Sequence, residues 1–138
     1  PIVLIHKLDN KIFIDKNGIL LPADKKSIAT FSVPIVSILD TNKSISDIKD
    51  ITSIFQFLLI EYPNFYNTLS KIKIKPDLWE FYSNNTKIYT DREYVKNQLI
   101  ILQNFESTIY PIRNLQDYSY IDLRVNNQVI VKEKYRKG

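Results

Sequence analysis

The residues of this chain best suited to acid–base chemistry are Asp15, Asp40, Asp91, Glu93, Asp117 and Asp122. Two such carboxylates on either side of a glycosidic bond could serve as acid and base. Each also has a local explanation as a turn residue, helix cap or strand charge, and Asp91 stands by position at a helix N-cap. His6 is the only histidine and cysteine is absent. That excludes disulfides, thiolate metal sites and thiol nucleophiles, and leaves little for zinc or a histidine base. On an apolar strand His6 reads as a packed or surface residue. The chain therefore reads as non-enzymatic, with no cofactor and no metal.

Chemistry of another kind sits at the end. Tyr120-Ile121-Asp122-Leu123-Arg124 runs into Val125-Asn126-Asn127-Gln128-Val129-Ile130-Val131-Lys132. Two alternating segments meet at an Asn-Asn pair, which predicts a terminal β-hairpin. Ile121, Leu123 and Val125 are expected on one face, and Tyr120, Asp122 and Arg124 on the other. The last strand, from about Gln128, is expected to form a sheet edge open to a partner strand. Arg124 offers a planar fork suited to a carboxylate. Read from the residues alone, Arg124 is a satisfied surface charge beside Asp122, and Lys132 and Lys134 deter edge pairing.

Other elements must position that hairpin. Pro1 to Lys7, Lys11 to Ile14 and Ile19 to Leu21 read as strands, the last two joined through Asn17-Gly18, a strong hairpin signal. Residues 23–30 read as loop. Phe31 to Leu39 reads as a strand, with Pro34 suggesting an edge or an irregularity. Ser44 to Glu61 is expected to be helical, capped by Ser44 or Ser46, with Ile48, Ile51, Phe55, Leu58 and Leu59 as its inward stripe. Lys71-Ile72-Lys73-Ile74-Lys75 alternates strictly, apolar on one face and cationic on the other. Leu78 to Ser83 and Thr86 to Thr90 pair across Asn84-Asn85, and a second helix runs from about Arg92 to Ser107. These patterns predict a single α+β domain, with two main helices on one face of a largely antiparallel sheet.

At 138 residues the chain can bury a sizeable core. Its longest apolar stretch, Ile54 to Ile60, is too short to span a bilayer. Net charge is +4 and the isoelectric point is near 9.2. Basic charge alone supplies only sequence-independent attraction to nucleic acid, and no such partner is expected. Trp79, Phe81 and Tyr82 read as core and sheet-surface residues rather than base-stacking platforms. The Lys71/Lys73/Lys75 stripe could meet anionic lipid, nucleic acid or cell-wall polymer, or be the solvated face of a sheet.

The motifs, taken in order, resemble the extracytoplasmic β-domain of FtsQ/DivIB-type cell-division proteins, in the Bacteroidetes-like branch. Phe13-Ile14-Asp15-x-x-Gly18-Ile19-Leu20-x-Pro22 resembles its opening hairpin and Val33-Pro34-Ile35-Val36 its next strand. Trp79 to Asn85 resembles its middle hairpin, and Ile121-Asp122-Leu123-Arg124 the strand before its last. Departures include Thr90-Asp91 for a common Gly-Asp, and Val125 where many relatives carry an aromatic residue. The resemblance implies a non-catalytic divisome scaffold that binds FtsB and FtsL through the last strand and helps position septal peptidoglycan synthesis. Arg124, Val125, Asn126, Gln128, Val129, Ile130, Val131 and Lys132 would form the partner site. It also implies a location outside the cytoplasmic membrane at the division site, with the transmembrane anchor and POTRA domain outside this chain. The alternative is an unrelated secreted or surface α+β adhesion or interaction domain.

Overall fold

The computed structural model describes residues 1–7, 10–39 and 44–134, without the side chains of residues 44–47. In chain order these residues form β1 (Val3–Lys7), β2 (Asn10–Ile14), β3 (Leu20–Pro22), α1 (Lys25–Thr30), β4 (Ile35–Ile38), α2 (Ser44–Glu61), α3 (Pro63–Thr68), β5 (Leu69–Ile74), β6 (Leu78–Ser83), β7 (Thr86–Asp91), α4 (Val95–Ile109), β8 (Tyr118–Asp122) and β9 (Ile130–Glu133). One sheet holds the strands in the order β3-β2-β1-β4-β5-β6-β7-β8-β9. The pairs β1–β4, β4–β5 and β7–β8 are parallel; the others are antiparallel. The parallel pairs follow from connectivity. A parallel neighbour needs a crossover, and α2 with α3 supplies it between β4 and β5, as α4 does between β7 and β8. The architecture is α+β and mostly antiparallel, as the periodicities predict.

One core fills the space between the sheet and the two long helices. Ile51, Phe55 and Leu58 recur at spacings of four and three on α2, and Val95, Leu99 and Leu102 do the same on α4. They meet the inward side chains of Val36, Ile72, Ile74, Phe81, Ile88 and Ile121. Two hydrogen bonds tie the helices together where they leave the sheet. The Tyr62 hydroxyl donates to Glu106 Oε1 at 2.7 Å, and Gln103 Nε2 donates to the Glu61 carbonyl at 2.8 Å. Burial, with the Glu106 carboxylate beside it, holds the Tyr62 phenol far above its ordinary pKa.

Two expectations need correction. Residues 25–30 are not loop but the short helix α1. Asp24 accepts from Ser27 N at 2.7 Å and Ser27 Oγ accepts from Asp24 N at 3.0 Å, a capping box with serine in place of the usual Glu or Gln. The helix delivers Phe31 edge-on to Phe13, with ring centroids 5.7 Å apart. Pro34 marks no edge either, because β4 lies between β1 and β5 inside the sheet. Standing just before the first ladder residue, it removes no needed donor, and its carbonyl accepts from Leu4 N at 3.0 Å. The expected Ser44 or Ser46 cap lies outside the described side chains.

The β2–β3 turn is built on Asp15, whose Oδ1 accepts from Asn17 N at 2.8 Å and Ile19 N at 2.9 Å. Gly18 there has φ +83°, and a Cβ at this position would lie 3.2 Å from Thr52 Cγ2 of α2. Gly18→Ala is therefore expected to cost roughly 1–2 kcal/mol in the left-handed conformation alone. Urea denaturation measures it, and an alanine variant as stable as the parent would rule out this turn geometry.

Candidate partner-binding edge

The terminal hairpin is pinned from one side only. β8 runs parallel to β7, with Lys87 opposite Tyr120, Ile88 opposite Ile121 and Tyr89 opposite Asp122. Leu123 N continues that ladder by donating to the Tyr89 carbonyl at 2.9 Å. Ile121 and Leu123 are thereby buried in the core, while Tyr120, Asp122 and Arg124 lie on the opposite, open face, as expected. β9 returns antiparallel along β8, with Tyr120 opposite Lys132, Ile121 opposite Val131 and Asp122 opposite Ile130. Ser119 is an extra residue in β8 that bulges the ladder, and its hydroxyl donates to the Lys132 carbonyl at 3.1 Å.

β9 is the last strand of the sheet. Its backbone directions follow by alternation. Residues 121 and 123 turn their backbone groups toward β7, so 120 and 122 turn theirs toward β9. Ile130 and Lys132 then point inward, consistent with Lys134 N donating to the Asp117 carbonyl at 3.0 Å. The N–H and C=O of Val131 and Glu133 point outward, away from the sheet. Those groups form a short template for one more strand.

The sequence-predicted residues divide in three. Ile130, Val131 and Lys132 lie in β9; Val131 packs partly on the core, while Ile130 and Lys132 are exposed. Gln128 and Val129 precede the strand instead of opening it. The Asn-Asn turn is wider than a two-residue hairpin: Gln128 N donates to the Val125 carbonyl at 3.1 Å, and Asn127 takes φ +59°. This loop carries Val125 off the core face, leaving it 44% exposed. Asn126 lies at the tip, exposed.

Arg124 is engaged within its own hairpin. Nε and Nη2 donate to the two oxygens of Asp122 at 3.0 and 2.9 Å, and its backbone N donates to the same carboxylate at 3.0 Å. Its guanidinium carbon lies 5.5 Å from the Tyr89 ring centroid. Burial alone would raise the pKa of Asp122, but the Arg124 hydrogen bonds and charge outweigh it and hold the carboxyl below its ordinary range. Pairing with Asp122 is thus the arrangement present in the free domain. Nη1 takes no part in that pair.

Beside the loop, a hollow of about 440 Å³ is lined by Tyr94, Gln98, Ile101, Arg124 and Asn126, among others. Asp91 borders it but is not the helix cap expected for it. α4 begins only at Val95, after Tyr94, and no side chain caps it. Asp91 instead ends β7, where its N–H donates to Gln98 Oε1 at 2.7 Å and its Oδ2 accepts from Gln98 Nε2 at 3.0 Å. Gln98 was not singled out by sequence, since a glutamine on a helix carries no positional signal for a buried partner.

The remaining candidate carboxylates have local roles. Asp15 forms the turn described above, and Asp117 closes a capping box with Asn114. Asp40 lies outside the described residues, and Glu93 is exposed in the turn before α4. Among the described residues no cluster of His, Asp or Glu is placed to hold a metal, and no helix is long and apolar enough to cross a membrane. Trp79 and Phe81 are in the core; Tyr82 is on the open face.

Glu80, beside Tyr82 on that face, is buried. It accepts from Lys75 at 2.8 Å and from the Tyr82 hydroxyl at 2.7 Å, with Lys87 3.8 Å away. Burial would raise its pKa, yet Lys75, Tyr82 and Lys87 outweigh it and hold the carboxyl below its ordinary range. A carboxyl with a depressed folded-state pKa stabilises the fold above its unfolded value and loses that contribution as pH falls. Stability is therefore expected to drop as pH falls below about 4.5, and more shallowly in Glu80→Gln; equal slopes in denaturation at pH 5 and roughly pH 3 would contradict this.

No protein-family model matches this chain, and no curated protein matches it.

Proposed function

We propose that this chain is the extracytoplasmic β-domain of an FtsQ/DivIB-like division protein. In this reading it is a non-catalytic scaffold that receives a strand from an FtsB-like partner, associated with an FtsL-like one, along β9. It would work outside the cytoplasmic membrane at the division site, held there by an anchor beyond this chain, and help position septal peptidoglycan synthesis. The observation that carries the reading is the outer side of β9. A strand that ends the sheet turns the backbone groups of Val131 and Glu133 outward, the arrangement that β-strand addition uses. Ile130 and Lys132 would then set specificity on the open face and Val131 on the other. Arg124 would meet a partner carboxylate through Nη1 while keeping Asp122.

The test is titration of the domain with a peptide from the periplasmic C-terminal half of the FtsB of its own organism. Saturable binding that Val131→Pro removes from a folded domain supports the scaffold reading. No binding at high micromolar peptide sinks it and favours an unrelated surface adhesion domain.

A further inference from the structure

The core is left unfinished along one flank of α4. Gln103 and Glu106 fasten that helix to the end of α2, through the Glu61 carbonyl and the Tyr62 hydroxyl. By helix geometry, Ile101 and Phe105 each stand about 160° round the axis from Gln103. They share the flank turned away from α2, toward the β9 edge. Neighbours fix both ends of that flank. Ile101 lines the hollow with Arg124 and Asn126 of the hairpin loop. Phe105 packs on Tyr118 with ring centroids 5.8 Å apart, and Tyr118 is paired to Glu133 of β9.

Below the flank, Val131 of β9 and Val129 just before it face the helix side, and both pack only partly on the core. Ile101 is 41% exposed and Phe105 is half-buried. Among the described residues no strand lies beyond β9. Ile101, Phe105, Val129 and Val131 therefore form an apolar overhang, roofed by α4, floored by β9 and open on its outer side. The Arg113–Glu133 ion pair, at 2.9 Å, closes one end with charge. That leaves room for two inward side chains of an added strand, opposite Val129 and Val131. Such side chains lie about 7 Å apart, close to the rise of about 6 Å from Ile101 to Phe105.

We infer that the strand accepted by β9 carries two apolar side chains, two residues apart, that fill the space beneath Ile101 and Phe105, with an acidic residue beside one of them opposite Lys132. The inference rests on the strand-addition reading and specifies the chemistry of the partner. The outward backbone groups of Val131 and Glu133 call for an extended chain. Alternate residues of an extended chain share a face, so its apolar pair goes under α4 while the residue next to it meets the open face. There Lys132 is exposed, with no carboxylate in ion-pair reach among the described residues. A second copy of this chain fits poorly. Antiparallel self-pairing of β9 sets Glu133 against Val129 or against Glu133, or Lys132 against Lys132. Each choice puts a carboxylate into the apolar space or opposes like charges.

The experiment titrates the domain with a synthetic peptide centred on Glu-Val-Thr-Val-Glu, which reads alike in either strand direction, and follows the amide signals of Val131 and Glu133 by NMR. A second peptide, of the same composition and centred on Glu-Val-Val-Thr-Glu, sets its valines on opposite faces. The first is expected to shift both amides and to bind about tenfold more tightly than the second. Ile101→Gln should weaken it about three- to tenfold and Lys132→Gln about two- to fivefold. Ile60→Gln, an exposed change on α2, should leave it unchanged. Equal affinity of the two peptides, or no loss in Ile101→Gln, with both amides still shifting, would overturn this inference and leave strand addition standing. No shift of those amides with either peptide or with the FtsB-derived one would remove the strand-addition reading, and this inference with it. Self-association of the peptide-free domain that Ile101→Gln weakens would overturn it in favour of a second copy.

Discussion

Phe81→Ala is expected to destabilise the domain by about 3–5 kcal/mol. Phe81 lies on the inward face of β6, in the middle of the sheet, and is fully buried. Ile72 and Ile88 flank it across the two neighbouring strands. Its ring lies 5.9 Å from that of Phe65 and 6.1 Å from that of Trp79. Truncation removes those contacts and leaves a cavity that a sheet strand, paired on both sides, cannot collapse to fill. A domain of this size has a total stability of roughly 5–15 kcal/mol, so the variant is left close to the threshold of folding. The urea midpoint should fall with little change in slope. Tyr82→Ala is the control, one residue along and on the open face. It should cost clearly less, since its ring is only half-buried among lysine stems and what is lost beyond that packing is the hydroxyl's bond to Glu80. A larger loss at Tyr82 than at Phe81 would mean that β6 presents its other face to the helices.

That pair also shows what the sequence made legible. Strict alternation in β5 and 3.6-residue periodicity in α2 and α4 are properties of single elements, and both survive intact in the fold. Asn17-Gly18 and Asn84-Asn85 were readable because a left-handed residue in a tight turn leaves few choices of side chain, and Gly18 and Asn84 do have positive φ. What stayed hidden depends on distant partners. The capping box of α1 uses Ser27, which looks like any loop serine. The sequence pattern puts the start of α4 too early because Asp91 bonds Gln98, seven residues on, instead of capping the first turn. The Asn126-Asn127 pair suggests a tighter hairpin than forms, because Leu123 follows β7 before the chain turns back. At the edge itself, alternation along β8 and β9 marked which side chains share a face. It said nothing of which backbone groups point outward, since that depends on which side of β9 is paired.

That last distinction gives the prediction with the largest expected effect on binding. Proline scanning along β9 should separate folding from partner capture by residue parity. Ile130 and Lys132 turn their N–H groups inward to β8, so proline at Lys132 removes a bond the free domain makes. Lys132→Pro should loosen the hairpin and lower stability by roughly 1–3 kcal/mol. Val131 and Glu133 turn theirs outward, where the free domain uses neither. Val131→Pro therefore removes little from the fold beyond some of the side chain's packing on the core. In the complex it leaves one partner carbonyl facing a ring instead of a donor, at a cost of about 1–3 kcal/mol. Each 1.4 kcal/mol is tenfold in affinity, so strand capture should weaken by about ten- to a hundredfold. Glu133→Pro should act in the same direction. It also holds the Arg113 ion pair at 2.9 Å, so Glu133→Ala is needed to separate that side chain from the backbone. The order of effects is the test. If Val131→Pro binds the FtsB-derived peptide as the parent does while Lys132→Pro alone weakens it, the partner does not add to β9, and its contacts lie on the side chains of the hairpin or in the hollow beside Arg124.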